Sequence, residues 1–286
     1  MIHATLWMIG ALTSFCLMAI GARELNSQIG VFQILFFRSI VGLLVLSPII
    51  LLLKKEHFSF PTRIKLHLVR NLFHFAGQYG WFLGIGLLPL ATVFAIEFTV
   101  PFWTIIISYF FLKEPITVKK VIAVLLGILG IIVIVQPRLG VASYGSLIVL
   151  GAAICYACAH VSTKSLSNTD SPITIIFMMC FIQAPLGLLL FTQGWTTPVG
   201  IQWLWLIIIG VTALSAHYCM TKAMQYAEVT FVVTMDLFRL PLISIVGVLL
   251  YSERFSVALL VGILLIVAGN AINIYSKKTA KDNVIQ

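Results

Sequence analysis

ATVFAIEFTVPFWTIIISYFF (residues 91–111) and VTFVVTMDLFRLPLISIVGVLL (residues 229–250) are apolar runs long enough to cross a bilayer, and each carries a carboxylate inside it. Glu97 and Asp236 lie 139 positions apart, and the same offset carries Tyr79 onto Tyr218, Val93 onto Val232, Glu114 onto Glu253, Leu126 onto Leu265 and Gly130 onto Gly269. The chain therefore reads as two copies of one unit. A charge at the bilayer centre costs about 2.5–3.5 kcal/mol on insertion scales, so an acid at matched positions of both copies points to a shared role.

Outward from these runs, the composition is that of a membrane protein. Of 286 residues, 60% are hydrophobic and 9% charged, with a mean hydropathy of +1.09, against roughly 25% charged in a soluble domain. Ten runs approach the roughly 20 residues a spanning helix needs: 3–22, 31–53, 67–88, 91–111, 119–136, 143–164, 172–192, 201–222, 229–250 and 255–275. The expected fold is an all-α integral membrane protein of ten transmembrane helices, built as two inverted five-helix repeats. The first repeat is placed at residues 1–137, the second at 142–276, and residues 277–286 form a short basic cytoplasmic tail. Five spans per half is an odd number, so the second copy enters from the opposite face, related by an in-plane pseudo-twofold axis. The match is clearest between 78–134 and 217–273 and weak in the first two spans of each half, where Arg38 falls opposite Met178 or Met179.

The formal charge of +9 distributes asymmetrically. With the N-terminus inside, Lys54, Lys55, Arg63, Lys65, Arg70, Lys113, Lys119, Lys120, Lys164, Lys222, Lys277, Lys278 and Lys281 are cytoplasmic, and only Arg23, Arg138 and Arg254 are outside. This bias places both termini in the cytoplasm of a cell (inner) membrane and explains the excess charge without a nucleic-acid partner. Met1-Ile2-His3 has no Lys or Arg, so the first run reads as a retained span rather than a signal peptide. Cys16, Cys155, Cys158, Cys180 and Cys219 all fall within spans, against a disulfide framework. Cys155 and Cys158 share a helix face, but nothing nearby completes a metal set, so packing is the reading. Without a phosphate-binding glycine loop, a zinc-protease motif or a nucleophile elbow, no cofactor, metal or catalytic residue is expected.

Counting about 1.5 Å per residue places Glu97 about 9 Å and Arg38 about 10 Å below the outer surface, as candidate partners. Asp236 lies about 10 Å above the inner surface, near His217 and three residues from Arg239. Two polar clusters on opposite sides of the midplane are thus expected, either lining and gating one cavity or fixing helix register. His217 is a candidate proton carrier. Gln78, Tyr79, Trp81, Trp103 and Tyr218 bring donors and aromatic faces to the third, fourth and eighth spans as candidate substrate contacts, or as packing. Glu114 and Glu253 are read as helix N-terminal caps. Pro101 and Pro241 are candidate hinges or static kinks, and Gly80 with Gly84 marks close packing. His74 and His160 are assigned to the positive-inside bias, and Trp195, Trp203, Trp205 and Tyr275 to interfacial anchoring.

Phe111-Leu112-Lys113-Glu114-Pro115-Ile116-Thr117, followed by Gly127 and Gly130, and Tyr251-Ser252-Glu253-Arg254-Phe255-Ser256, followed by Gly262 and Gly269, resemble the helix-Glu-helix signature of the EamA family of drug/metabolite transporters. Phe36-Phe37-Arg38, Gly77-Gln78-Tyr79-Gly80-Trp81 and Ala95 through Pro101 are most similar to the branch that includes S-adenosylmethionine uptake carriers. The resemblance implies a secondary transporter that moves a small polar metabolite by alternating access, the solute being amino-acid-like or nucleoside-bearing. Its expected partners are that small-molecule substrate, the lipid bilayer, and a coupling proton or exchanged solute, with the oligomeric state open. The alternatives are an exporter of amino acids or drugs, an enzyme acting on a lipid-linked substrate, and a non-transporting sensor.

Overall fold

The computed structural model describes residues 2–26, 28–52, 58, 60–135, 144–191 and 194–252, with scattered positions between 257 and 272. The first half contains α1 (Ile2–Leu25), α2 (Val31–Leu52), α3 (Ile64–Leu87), α4 (Leu90–Glu97), α5 (Val100–Leu112) and α6 (Val118–Val135). The second contains α7 (Tyr144–Leu166), α8 (Pro172–Leu189), α9 (Ile201–Tyr226), α10 (Val229–Asp236) and α11 (Arg239–Tyr251). Among the described residues, six spans are long and apolar enough to cross a membrane, α10 and α11 together forming one of them. The last apolar run, 255–275, is described only at scattered positions. The linker 137–142, Glu253, Arg254, Tyr275 and the tail 277–286 lie outside the described residues.

The duplication is geometric as well as textual. α10 and α11 repeat the bounds of α4 and α5 at the 139-residue offset. α5 and α11 both end on a left-handed non-glycine residue, Lys113 (φ 55°) and Ser252 (φ 54°). Carbonyls at a helix C-terminus lack intrahelical donors and attract cations, and both halves answer this alike. Arg23 Nη1 donates to the Ile85 and Leu88 carbonyls at 2.6 and 3.2 Å. Lys164 Nζ donates to the Met224 and Ala227 carbonyls at 2.6 and 2.9 Å. Ile85 and Met224, like Leu88 and Ala227, are partners at the repeat offset.

The halves interleave rather than stand side by side: α1 packs along α9, α3 along α7, and α2 along α8. Small residues permit the α3–α7 approach. A Cβ added at Gly77 would stand 3.0 Å from Tyr156 Cδ1, and one at Gly80 would stand 3.0 Å from Ala152 Cβ and 3.2 Å from the Ile148 carbonyl. Gly84 is blocked in the same way by Val149, as its Gly-x-x-x-Gly spacing predicts.

The fourth and ninth spans are each interrupted. Pro101 has no N–H for the Glu97 carbonyl four residues back, and its ring clashes there. The helix breaks at Phe98–Thr99, leaving Pro101 in the first turn of α5, where a missing N–H is tolerated. Pro241 likewise withdraws a donor from the Leu237 carbonyl, which accepts instead from Leu240 N–H at 3.1 Å. Glu97 and Asp236 consequently terminate α4 and α10, and Arg239 opens α11.

Large apolar side chains face outward, and a set of charged and amide side chains is buried within an otherwise apolar core. Leu51, Leu52, Phe60, Phe111 and Leu249 are exposed, whereas Arg38, His67, Arg70, Asn71, His74, Gln78 and Gln183 are buried. An apolar exterior of this extent fits hydrocarbon as the solvent. It also explains why α3, rich in inward polar residues, is not among the six spans that qualify by composition.

Candidate functional site

The ends of the broken helices meet at the centre of the bundle. Arg239 Nη2 lies 2.7 Å from Glu97 Oε1 and 2.7 Å from Asp236 Oδ2, so one guanidinium serves both carboxylates. Trp81 Nε1 donates to the other Glu97 oxygen, Oε2, at 2.7 Å. Phe15, Phe94 and Phe98 surround the cation, with ring centroids 4.6, 5.0 and 5.7 Å from Arg239 Cζ. Asp236 Oδ1 has no partner among the described residues. In charge terms the triad holds two acids and one base, all buried.

A cavity opens beside it, lined by Phe15, Met18, Gln78, Trp81, Tyr156, His160, His217 and Met220 together with the triad. It is narrow, with room for little more than a water molecule among its polar side chains in this conformation. Both halves contribute walls, and Gln78 Oε1 is buried without a partner among the described residues.

Several expectations are corrected by this geometry. Glu97 pairs with Arg239, not with Arg38, and the acids of the two halves form one cluster rather than two on opposite sides of the midplane. The depth count treated each span as straight and measured from opposite faces, whereas breaking both helices turns their ends toward one another. Arg38 instead donates to Gln183 Oε1 at 3.4 Å. His217 lines the cavity but stacks edge-on with His74 and Phe15, at 4.6 and 5.4 Å between centroids. Tyr79, Trp103 and Tyr218 are not among the lining residues: Tyr79 stacks on Phe32 at 4.4 Å, Trp103 bonds Thr99 Oγ1 at 3.3 Å, and Tyr218 packs edge-on against Trp7. Glu114 does cap a helix, but across the repeat boundary: it accepts from Val229 N–H at 3.4 Å and Thr230 Oγ1 at 2.9 Å, at the start of α10.

Sequence reasoning missed Tyr156 and undervalued His160, both of which line the cavity. No sequence signal marks Tyr156, and His160 was assigned to a helix end although it lines the cavity and stacks on Tyr156, with ring centroids 6.2 Å apart. His74, by contrast, is fully buried, against Tyr156 and Gln183.

Models of the EamA-like transporter family match residues 3–136 and again 143–275. The chain belongs to this family. An S-adenosylmethionine uptake transporter of Rickettsia felis is 25% identical over 274 residues, covering 96% of this chain and 93% of that protein. A riboflavin transporter of Vibrio cholerae is 26% identical, covering 88% and 86%, and a pseudopaline exporter of Pseudomonas aeruginosa is 26% identical, covering 79% and 80%. A solved crystal structure superposes with a TM-score of 0.78 at 20% identity, covering 97% of this chain and 98% of its own, and shows the shared fold. This EamA-like protein is thus a multi-pass membrane transporter of a small metabolite. Its relatives carry transporters' names rather than enzymes', in keeping with the sequence reading.

Proposed function

We propose that this EamA-like protein carries a small amphoteric metabolite of the S-adenosylmethionine type across the cell membrane by alternating access, with Glu97, Asp236 and Arg239 at its substrate site. The observation that carries the reading is the triad itself. Two buried acids share one base in a cavity walled by both halves, so the site holds an excess negative charge that a cationic group or a proton can answer. S-adenosylmethionine has a sulfonium, an ammonium and a carboxylate, and aromatic faces such as Trp81 and Phe15 favour sulfonium and ammonium groups. Gln78, Trp81 and His217 are assigned to contacts in the cavity.

Ten spans arranged as two inverted five-helix repeats, with both termini cytoplasmic, complete the reading. The crossed packing of α1 on α9 and α3 on α7 and the matched caps by Arg23 and Lys164 support such a two-fold relation. The narrow cavity represents an occluded conformation, opened to one side or the other as the halves rock about the breaks before Pro101 and Pro241. Import is favoured, since the relatives that cover 95–98% of this chain are named for uptake.

The decisive measurement is uptake of labelled S-adenosylmethionine into proteoliposomes beside riboflavin and a panel of amino acids. Saturable S-adenosylmethionine flux that falls at least about tenfold in Glu97→Gln and Asp236→Asn is expected. Unchanged flux in both variants, or flux of no solute by the native chain, would refute the assignment.

A further inference from the structure

Behind His74 and His217, away from the acidic triad, lies a second buried cluster of opposite sign. Arg38 on α2 and Arg70 on α3 are each 2% exposed. They are bridged by neutral amides: Arg38 Nη1 donates to Gln183 Oε1 at 3.4 Å, Gln183 Nε2 reaches Asn71 Oδ1 at 3.4 Å, and Arg70 Nη1 donates to the same Asn71 oxygen at 2.6 Å. Arg70 Nε also donates to Thr163 Oγ1 at 3.1 Å. Gln183 Nε2 lies 3.0 Å from His74 Nδ1, and His74 meets the cavity-lining His217. A continuous polar chain therefore runs from the cavity wall to Arg38.

No carboxylate among the described residues pairs with either arginine. Glu97 and Asp236 are taken by Arg239, and Asp170 is bound to His67 Nε2 at 2.7 Å. Arg38 Nε and His74 Nε2 have no partner at all among the described residues, and Arg38 Nη2 finds only the thioether of Met179 at 3.8 Å. Two enclosed guanidiniums without a counter-ion are unfavourable, because each has lost its water without gaining an anion. A guanidinium's fork of donors matches a carboxylate.

We propose that Arg38 and Arg70, with His74 and Gln183, form the anion-accepting end of the transport site and take the carboxylate of an amino-acid-type solute whose cationic end faces Glu97 and Asp236. The inference rests on the transport reading above. It adds that the solute is bound by both ends, with the His74–His217 pair at the passage between the two poles.

The test is binding of matched probes to the purified full chain, followed by ligand-induced thermal stabilisation. S-adenosylmethionine is compared with its decarboxylated analogue, and methionine with methioninamide, so that each pair differs at the carboxylate. The acid of at least one pair is expected to bind about tenfold or more tightly than its partner. That preference should vanish in Arg38→Gln and Arg70→Gln and survive in part in Arg38→Lys. If the glutamine variants fail to fold, the native pairs and Arg38→Lys decide. The proposal is overturned if the native chain binds no acid in preference to its partner, if the preference persists in both glutamine variants, or if chloride or inorganic phosphate stabilises the native chain and the acids add nothing. Flux without a carboxylate preference overturns this inference alone, whereas a carboxylate preference without flux overturns the transport reading alone.

Discussion

At the residue scale, Arg239 is the side chain on which the centre of the molecule depends, because Glu97 and Asp236 are buried and share it. Arg239→Met should strand both acids, at a cost of about 3–5 kcal/mol, measurable as a lowered melting temperature in detergent. Removing the acids as well, in Arg239→Met/Glu97→Gln/Asp236→Asn, should recover much of that stability while leaving no transport. A triple variant as unstable as the single one would show that packing around Arg239, not its charge, is what matters. Trp81→Phe keeps a ring but deletes the donor to Glu97 Oε2. It should lower stability by about 1–3 kcal/mol, and unchanged stability together with unchanged flux would place that hydrogen bond outside the machinery. Of these contacts the sequence exposed the charged residues and the Asp236–Arg239 helical spacing. It could not expose the bond between Glu97 and Arg239, which bridges 142 positions and exists only because two helix ends converge.

At the element scale, the proline-linked breaks and the tight α3–α7 contact carry the geometry. Both were foreshadowed by the chain, since Pro101 and Pro241 remove donors and Gly80 and Gly84 share one helix face. Gly80→Val should force α3 from Ala152 and the Ile148 carbonyl, costing about 1–3 kcal/mol, whereas the same change at Gly127, whose added Cβ would meet nothing within 4 Å, should be milder. Equal losses at both sites would contradict the close approach. Glu114→Ala removes two acceptors from the start of α10 and should cost about 1 kcal/mol, read from thermal unfolding. A cap in the opposite half was not legible in the sequence, because the nearest helix start in the chain belongs to α6 and only the fold brings α10 to Glu114.

At the scale of the whole molecule, the swapped contacts of α1 with α9 and α3 with α7 make each half incomplete without the other. Lys113 and Ser252 close the corresponding helices α5 and α11 in the same left-handed conformation. If the halves are inverted, Lys113→Cys and Ser252→Cys, in a background without other cysteines, should react with a membrane-impermeant maleimide from opposite sides of intact vesicles. Labelling of both from one side would rule out the inverted arrangement.

Hydropathy, the repeat offset, the acidic positions and the proline interruptions were fixed by local chemistry, which a linear chain displays: the composition of a run tells which solvent it faces, and a missing N–H tells where a helix yields. Which charge meets which was decided only by the folded bundle. Arg239 rather than Arg38 neutralises Glu97, Arg38 and Arg70 gather around Gln183 and Asn71, and Tyr156 and His160 reach the cavity because interleaved halves bring distant helix faces together. Those contacts depend on lateral position and rotation of helices about their axes, and neither is encoded in depth along any single span.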